Sequence, residues 1–193
     1  MRTMSDPERT AGLLLAAGGG VRFAGPAHKL LTEVRGRPLI VHALENMAGA
    51  GLAAIAVVTG AAEVGAVLTP GVVVIPNPRW EEGQATSLAA GVDWARQAGF
   101  AAVIVGLGDQ PSIPAAAWRA VAAVTATPMA VATYGGRRGH PVRLHRRVWD
   151  RLPRAGDEGA RRLMAASPEL VTEVACEGDP TDVDTVEDLA RWR

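Results

Sequence analysis

A single cysteine, Cys176, occurs in the 193 residues, so no disulfide can form within the chain and a cysteine-rich zinc site is excluded. A lone thiol fits a reducing compartment, and a cytoplasmic location is the expectation. No apolar run approaches the roughly 18 residues that suggest a membrane span. Met1 to Thr10 are polar and lack the apolar centre of a signal peptide. Residues 1–9 are therefore expected to form a flexible N-terminal tail, with 10–193 as one domain. Net charge is also missing: 20 basic residues balance 20 acidic ones. That balance gives no reason to expect a duplex nucleic-acid partner. Neither nucleic acid nor membrane is expected among the partners. Lysine is nearly absent too. Lys29 stands against 19 arginines, in a composition that favours arginine and alanine. A lysine kept in such a background draws attention to its position.

What is present is a hydrophobic content of 48% with 21% charged residues, ordinary for a globular domain with a sizeable core. Short apolar runs alternate with helical patterns. Ala11–Ala16, Ala54–Thr59, Val72–Ile75 and Ala101–Leu107 read as strands. Pro38–Ala50, Gly83–Gln97 and Pro114–Val124 read as helices, the first opened by proline and closed by Gly51. Such βαβα alternation predicts a mostly parallel sheet with helices on both faces. After Thr127 the pattern changes. Met129–Tyr134 and Pro141–Leu144 flank a glycine-rich turn and predict an antiparallel portion. Helices are expected around His145–Leu152, Glu158–Ala166 and Val186–Trp192, with a strand near Leu170–Ala175. The expected class is α/β, a three-layer α/β/α, Rossmann-like arrangement.

Three segments could carry chemistry. Leu15-Ala16-Ala17-Gly18-Gly19-Gly20 ends the first strand. Glycines there let backbone N–H groups approach an anion closely. Arg22 and Lys29 follow and supply fixed positive charge for a triphosphate. The loop matches neither the Walker A pattern nor Gly-x-Gly-x-x-Gly. A plain strand–turn would use the same residues. Asp109, in Gly108-Asp109-Gln110-Pro111, sits just past the carboxyl end of an apolar strand, the edge where open α/β sheets bind ligands. It could hold a hard cation such as Mg²⁺, or simply cap the next helix. Asp182 and Asp184 point the same way if their segment is extended, so either could be a second metal carboxylate. Glu187 and Asp188 read as residues favouring a helix start.

Taken together, these segments resemble the nucleotidyltransferases that attach a nucleotide to molybdopterin, above all the molybdenum cofactor cytidylyltransferases. The resemblance runs through Lys29-Leu30-Leu31, Gly36-Arg37-Pro38-Leu39, Asn77-Pro78-Arg79-Trp80-Glu81-Glu82-Gly83, Gly139-His140-Pro141-Val142 and Gly156-Asp157-Glu158-Gly159, from about Thr10 to Trp192. It implies a nucleotide-diphospho-sugar transferase-like fold and transfer of a nucleoside monophosphate from a triphosphate to a phosphorylated acceptor, releasing pyrophosphate. Leu15 to Gly20, Arg22, Lys29, Gly83, Ser87 and Gly108 would hold the nucleotide, with Arg22, Lys29 and Asp109 as the catalytic set. Mg²⁺ would lie on Asp109 with Asp182 or Asp184, related sugar enzymes slightly favouring Asp182. Gly139, His140, Pro141, Gly156 and Asp157 would face the acceptor. A molybdoenzyme or its chaperone would receive the product.

Ala17 stands where the resemblance separates CTP-using from GTP-using members, and its alanine points to CTP. One departure stands out. The family pattern has five positions from arginine to lysine, whereas Arg22 and Lys29 are seven apart. That leaves the acceptor open. Sugar phosphates, isoprenoid precursors and phospholactate-like acids are alternatives, as is a nucleotide sensor without catalysis. His28, His42 and His145 are expected to be structural, and the five tryptophans to be packing residues.

Overall fold

The computed structural model describes residues 9–21, 23–25 and 27–189. The expected tail lies outside them except for Arg9, whose carbonyl accepts hydrogen bonds from the Ala101 and Ala102 amides at 3.0 and 3.4 Å. Strand β1 (Thr10–Ala16) enters first. A small hairpin, β2 (Glu33–Val34) and β3 (Arg37–Pro38), precedes helix α1 (Leu39–Ala48). Then come β4 (Ala54–Thr59), β5 (Val73–Pro76), α2 (Gln84–Gln97) and β6 (Ala102–Leu107). Helix α3 (Ala115–Ala122), strands β7 (Met129–Tyr134) and β8 (Arg137–His145), helix α4 (Arg161–Ala166) and strand β9 (Val171–Ala175) complete the described elements.

Seven strands form one sheet in the order β5-β4-β1-β6-β8-β7-β9. Within this sheet only β8 runs against its neighbours, and the other pairings are parallel. The strands form because their apolar residues must be covered on both faces. Leu13 and Leu15 of β1 face one core with Leu88 and Val92 of α2 and Met164 of α4. Leu14 and Ala16 face the other, with Ile40, Leu44 and Met47 of α1 and Trp118 and Val121 of α3. The period-two alternation thus assigns each helix to a face. Each fully buried Leu or Ile contributes about 1.5–3 kcal/mol relative to exposure. The three-layer, mostly parallel architecture with one antiparallel insertion is the one expected.

Some elements differ from the expectation. Residues Arg146–Arg151 form a 3₁₀ segment rather than an α-helix, capped by the His145 ring, which accepts from the Arg147 amide. Helix α4 begins at Arg161 instead of Glu158, because Gly159 is left-handed at φ +47°. Strand β8 is longer than Pro141–Leu144 at both ends, since Arg137 to Gly139 pair with β7 across an irregularity at Val131/Ala132. Of the helix expected at Val186–Trp192, residues 186–189 are described and form a turn, with the Leu189 amide donating to the Val186 carbonyl at 3.2 Å, and 190–192 lie outside the described residues.

Candidate active site

Strands β1 and β6 run parallel side by side, so their carboxyl ends bring the glycine loop and Asp109 to one edge. Gly108 seals the junction, donating to the Leu15 carbonyl at 2.9 Å. The segment after β9 crosses that same edge. The Val183 amide donates to the Asp109 carbonyl at 2.9 Å, and the Val183 side chain is buried against Val34, Leu39 and Leu189. This anchoring carries Asp182 and Asp184 to the site.

Lys29 is where these segments meet. Its Nζ lies 2.6 Å from Asp109 Oδ2 and 3.2 Å from Asp184 Oδ1. Burial alone would push the ammonium down, but the charge and hydrogen bonds of Asp109 and then Asp184 prevail and hold its pKa above the ordinary lysine value. Lys29 is therefore fully charged at neutral pH. Asp182 turns elsewhere. Its Oδ1 accepts from Gln110 Nε2 at 2.7 Å, and the same amide nitrogen donates to the Pro180 carbonyl at 2.9 Å. Burial, followed by the negative charge of Asp109, raises the Asp182 carboxyl. The doublet expected to point one way is thus divided between Lys29 and Gln110.

Asp109 Oδ1 is buried and accepts no hydrogen bond among the described residues. An orphaned carboxylate oxygen beside a second carboxylate suits a hard cation. Among the described residues no group of three or more His, Cys, Asp or Glu is arranged to hold a metal ion. A divalent ion here would rest on Asp109 and Asp184 and take its other oxygens from substrate and water.

Two chambers open from this edge. The first is lined by Leu15, Ala17, Gly18, Trp80, Gly83, Ser87 and Asp109, among others. Ser87 is 4% exposed; its hydroxyl accepts from Asn77 Nδ2 at 3.0 Å, and the same nitrogen donates to Thr86 Oγ1 at 2.9 Å. Asn77 therefore fixes the first turn of α2, a role with no spacing signal in the sequence. Trp80 packs its ring edge over Gly19, where a Cβ would stand 3.1 Å away. It also covers Gly60. Gly83 is left-handed at φ +104°, and a Cβ there would overlap the Gly156 carbonyl and stand 2.7 Å from Asp157 Oδ1. Only glycine allows α2 to start so close to that loop. Ala16, Gly19, Gly20 and Gly108 support the loop without lining the chamber. Arg22 lies outside the described residues.

The second chamber, about 820 Å³ including its mouth, shares Leu15, Gln84 and Asp157 with the first. Much of its wall is apolar, with Leu88, Val105, Val131, Leu144 and Met164; Gln84, Arg138, His140, Asp157, Glu158 and Arg161 supply its polar groups. Gly139 and Asp157 line it as well, whereas Pro141 and Gly156 stand behind the wall. Gly156 is hydrogen-bonded on both sides, to Glu82 O and Ala85 N, each at 2.9 Å. Gln84 and Arg161 belong to longer motifs of the resemblance, Asn77–Leu88 and Gly156–Arg161, the latter read as acceptor contacts or a helix start, without a role of their own; Arg138 carries no motif signal, because its role comes from which wall it reaches.

Burial pushes the His140 imidazole down to about 4, opposed by the charge of Asp109 and assisted by that of Arg161. The ring stays neutral at pH 7. Its folded pKa lies below the unfolded value, about 6.5, so the unfolded chain binds the extra proton between the two. The stabilisation is complete above pH 6.5 and is lost as pH falls towards 4. Allowing for the ring's partial exposure to the cavity, the expected loss is about 2 kcal/mol. Urea unfolding at pH 7 and pH 4.5 should show a smaller decline for His140→Gln than for the wild type; equal declines would refute the assignment.

The family model of the MobA-like NTP transferase domain matches residues 12–171. The bifunctional protein GlmU of Agrobacterium fabrum is 38% identical over 109 residues, which are 54% of this chain and 24% of that protein. The match thus spans about a quarter of that curated relative's length. The crystal structure of Rv0371c from Mycobacterium tuberculosis H37Rv is 30% identical, with 95% of this chain and 96% of that one covered and a TM-score of 0.80. The same protein has been solved in complex with manganese, with a TM-score of 0.76. The Methanothermobacter nucleotidyl transferase Mth528 shares the fold at 23% identity and a TM-score of 0.81, with 95% of each chain covered. The glycine loop, the strand-end aspartate and the sheet order therefore have one common source: the chain belongs to the MobA-like NTP transferase domain family, and is a nucleotidyltransferase of the nucleotide-diphospho-sugar transferase fold.

Proposed function

We propose that this nucleotidyltransferase moves CMP from CTP to the phosphate of a pterin acceptor of the molybdopterin type, with Mg²⁺ as cofactor. The observation that carries the reading is the pair of chambers with a common wall at Leu15, Gln84 and Asp157. A flat ring system, whose faces can pack on Val105, Val131 and Leu144 while its polar edge reaches Gln84, Asp157 or Glu158, suits the second chamber better than a sugar, whose hydroxyls project on all sides and would meet those apolar residues without partners. Ala17 on the first chamber's wall favours CTP.

An acceptor phosphate oxygen would attack the α-phosphorus of CTP, and the bond to the bridging oxygen of the leaving pyrophosphate would break. The acceptor phosphate is already ionised at neutral pH, so no strong base is required. Positioning and charge neutralisation supply the catalysis. Mg²⁺ on Asp109 and Asp184 would supply electrophilic stabilisation of the phosphate oxygens. Asp184 replaces Asp182 as the preferred partner because it shares the Lys29 ammonium with Asp109. Lys29 and Arg22 would bear the triphosphate charge. Neutral His140 can hydrogen-bond the acceptor without adding charge, and Arg138 and Arg161 can attract its phosphate. The product's recipient would be a molybdoenzyme or its chaperone.

Pyrophosphate release is to be measured with CTP, GTP, ATP and UTP, each with molybdopterin or with sugar phosphates. Release with CTP and molybdopterin together is the expected result. Turnover with a sugar phosphate and none with the pterin would sink the acceptor assignment. A preference for GTP would overturn the role given to Ala17.

A further inference from the structure

The seven-residue step from Arg22 to Lys29 creates a mechanical problem. A longer loop leaves more backbone freedom to be removed before Lys29 and the glycine loop reach fixed positions. His28, next to that lysine, makes two contacts. Its Nδ1 lies 3.3 Å from the Leu30 amide, capping the short 3₁₀ turn Lys29–Leu31. Its Nε2 lies 3.0 Å from the Gly18 carbonyl oxygen. The first contact fixes the tautomer. The Leu30 N–H can only donate, so Nδ1 is unprotonated and the ring proton sits on Nε2, which donates to Gly18. One neutral imidazole thus uses both nitrogens, each in its required role.

The Gly18 bond has a directional effect. In a trans peptide the C=O and the next N–H point in opposite directions. Drawing the Gly18 oxygen towards His28 aims the Gly19 N–H away from it. Gly18 lines the first chamber and His28 does not, so the ring holds the loop from outside. Gly20, left-handed at φ +60°, closes the arrangement: a Cβ there would stand 3.3 Å from Lys29 Cγ and 3.4 Å from His28 Nε2.

We infer that His28 is a positioning residue for nucleotide binding, tethering the glycine loop through Gly18 while capping the turn that presents Lys29. The inference rests on the nucleotide role proposed for that loop. Two substitutions separate the contacts. His28→Asn keeps an acceptor near Nδ1, and asparagine caps well, but it is too short to reach Gly18. His28→Ala removes both.

Wild type, His28→Asn and His28→Ala are to be compared by amide hydrogen exchange and by calorimetric titration with Mg²⁺·CTP and Mg²⁺·GTP. Exchange across residues 17–21 should accelerate in both variants, by about three- to tenfold for loss of one hydrogen bond. The Leu30 amide should accelerate in His28→Ala alone. Affinity for the preferred nucleotide should fall by a similar factor in both variants, with the asparagine variant melting near the wild-type temperature. Unchanged loop exchange, or faster exchange with unchanged affinity, would overturn the inference. If the wild type bound neither nucleotide, the functional reading would fail first. Loop exchange would then still decide whether the tether exists, and the positioning role would fall with the reading.

Discussion

Asp109→Asn is expected to lower kcat for pyrophosphate release by about a thousandfold while leaving the fold intact, a loss comparable to the several kcal/mol that a metal ion supplies to transition-state charge. The carboxylate offers two oxygens with different duties. Oδ2 bonds the Lys29 ammonium, and Oδ1 is buried with no described partner. Asparagine keeps the size and one acceptor but removes the charge that would hold a cation. Strand β6 and its neighbours do not depend on this side chain, so circular dichroism and melting should match the wild type within a few degrees. Manganese binding, followed by electron paramagnetic resonance, should weaken in parallel with turnover. Near-native activity in the variant would show that the metal sits elsewhere.

Lys29→Met should have two effects that run in opposite directions. Turnover should fall by about a hundredfold, because a fixed charge on the triphosphate is lost. Manganese binding without nucleotide should tighten, by about tenfold, because the ammonium that lies between Asp109 and Asp184 no longer competes for them. With a chelator present the variant should be less stable by about 2 kcal/mol, since two partly buried carboxylates then lose the ammonium that both of them bond. Added Mn²⁺ should restore its melting temperature. A variant that bound metal no better than the wild type, and melted alike with and without chelator, would remove Lys29 from the cation site.

The sheet was legible in the sequence wherever its strands are buried on both faces. β4 and β7 occupy the residues expected of them, because Ala54–Thr59 and Met129–Tyr134 are unbroken runs between turn signals. The placement of Asp109 followed from the apolar run before it. The hairpin of β2 and β3 escaped notice, since two residues per strand carry no periodicity. The lysine and the aspartates could be recognised one at a time. That they touch could not be, because spacings of 80 and 155 residues carry no local signal. The separation of Asp182 from Asp184 was hidden for a related reason: it is decided by Gln110, a side chain from another part of the chain. His28 was expected to be structural because neither of its partners follows a known motif spacing.

Strand pairing also sets the order in which the protein can acquire its chemistry. β1 pairs first along the chain with β4 and later with β6, and the bond from Lys29 to Asp184 spans most of the remaining sequence. Contacts of such high sequence separation form slowly and are reached only after nearer ones have restricted the chain. The polar centre therefore cannot act as a nucleus for folding. It is assembled by a sheet that has already closed, and damage to it should slow the reaction without slowing the folding.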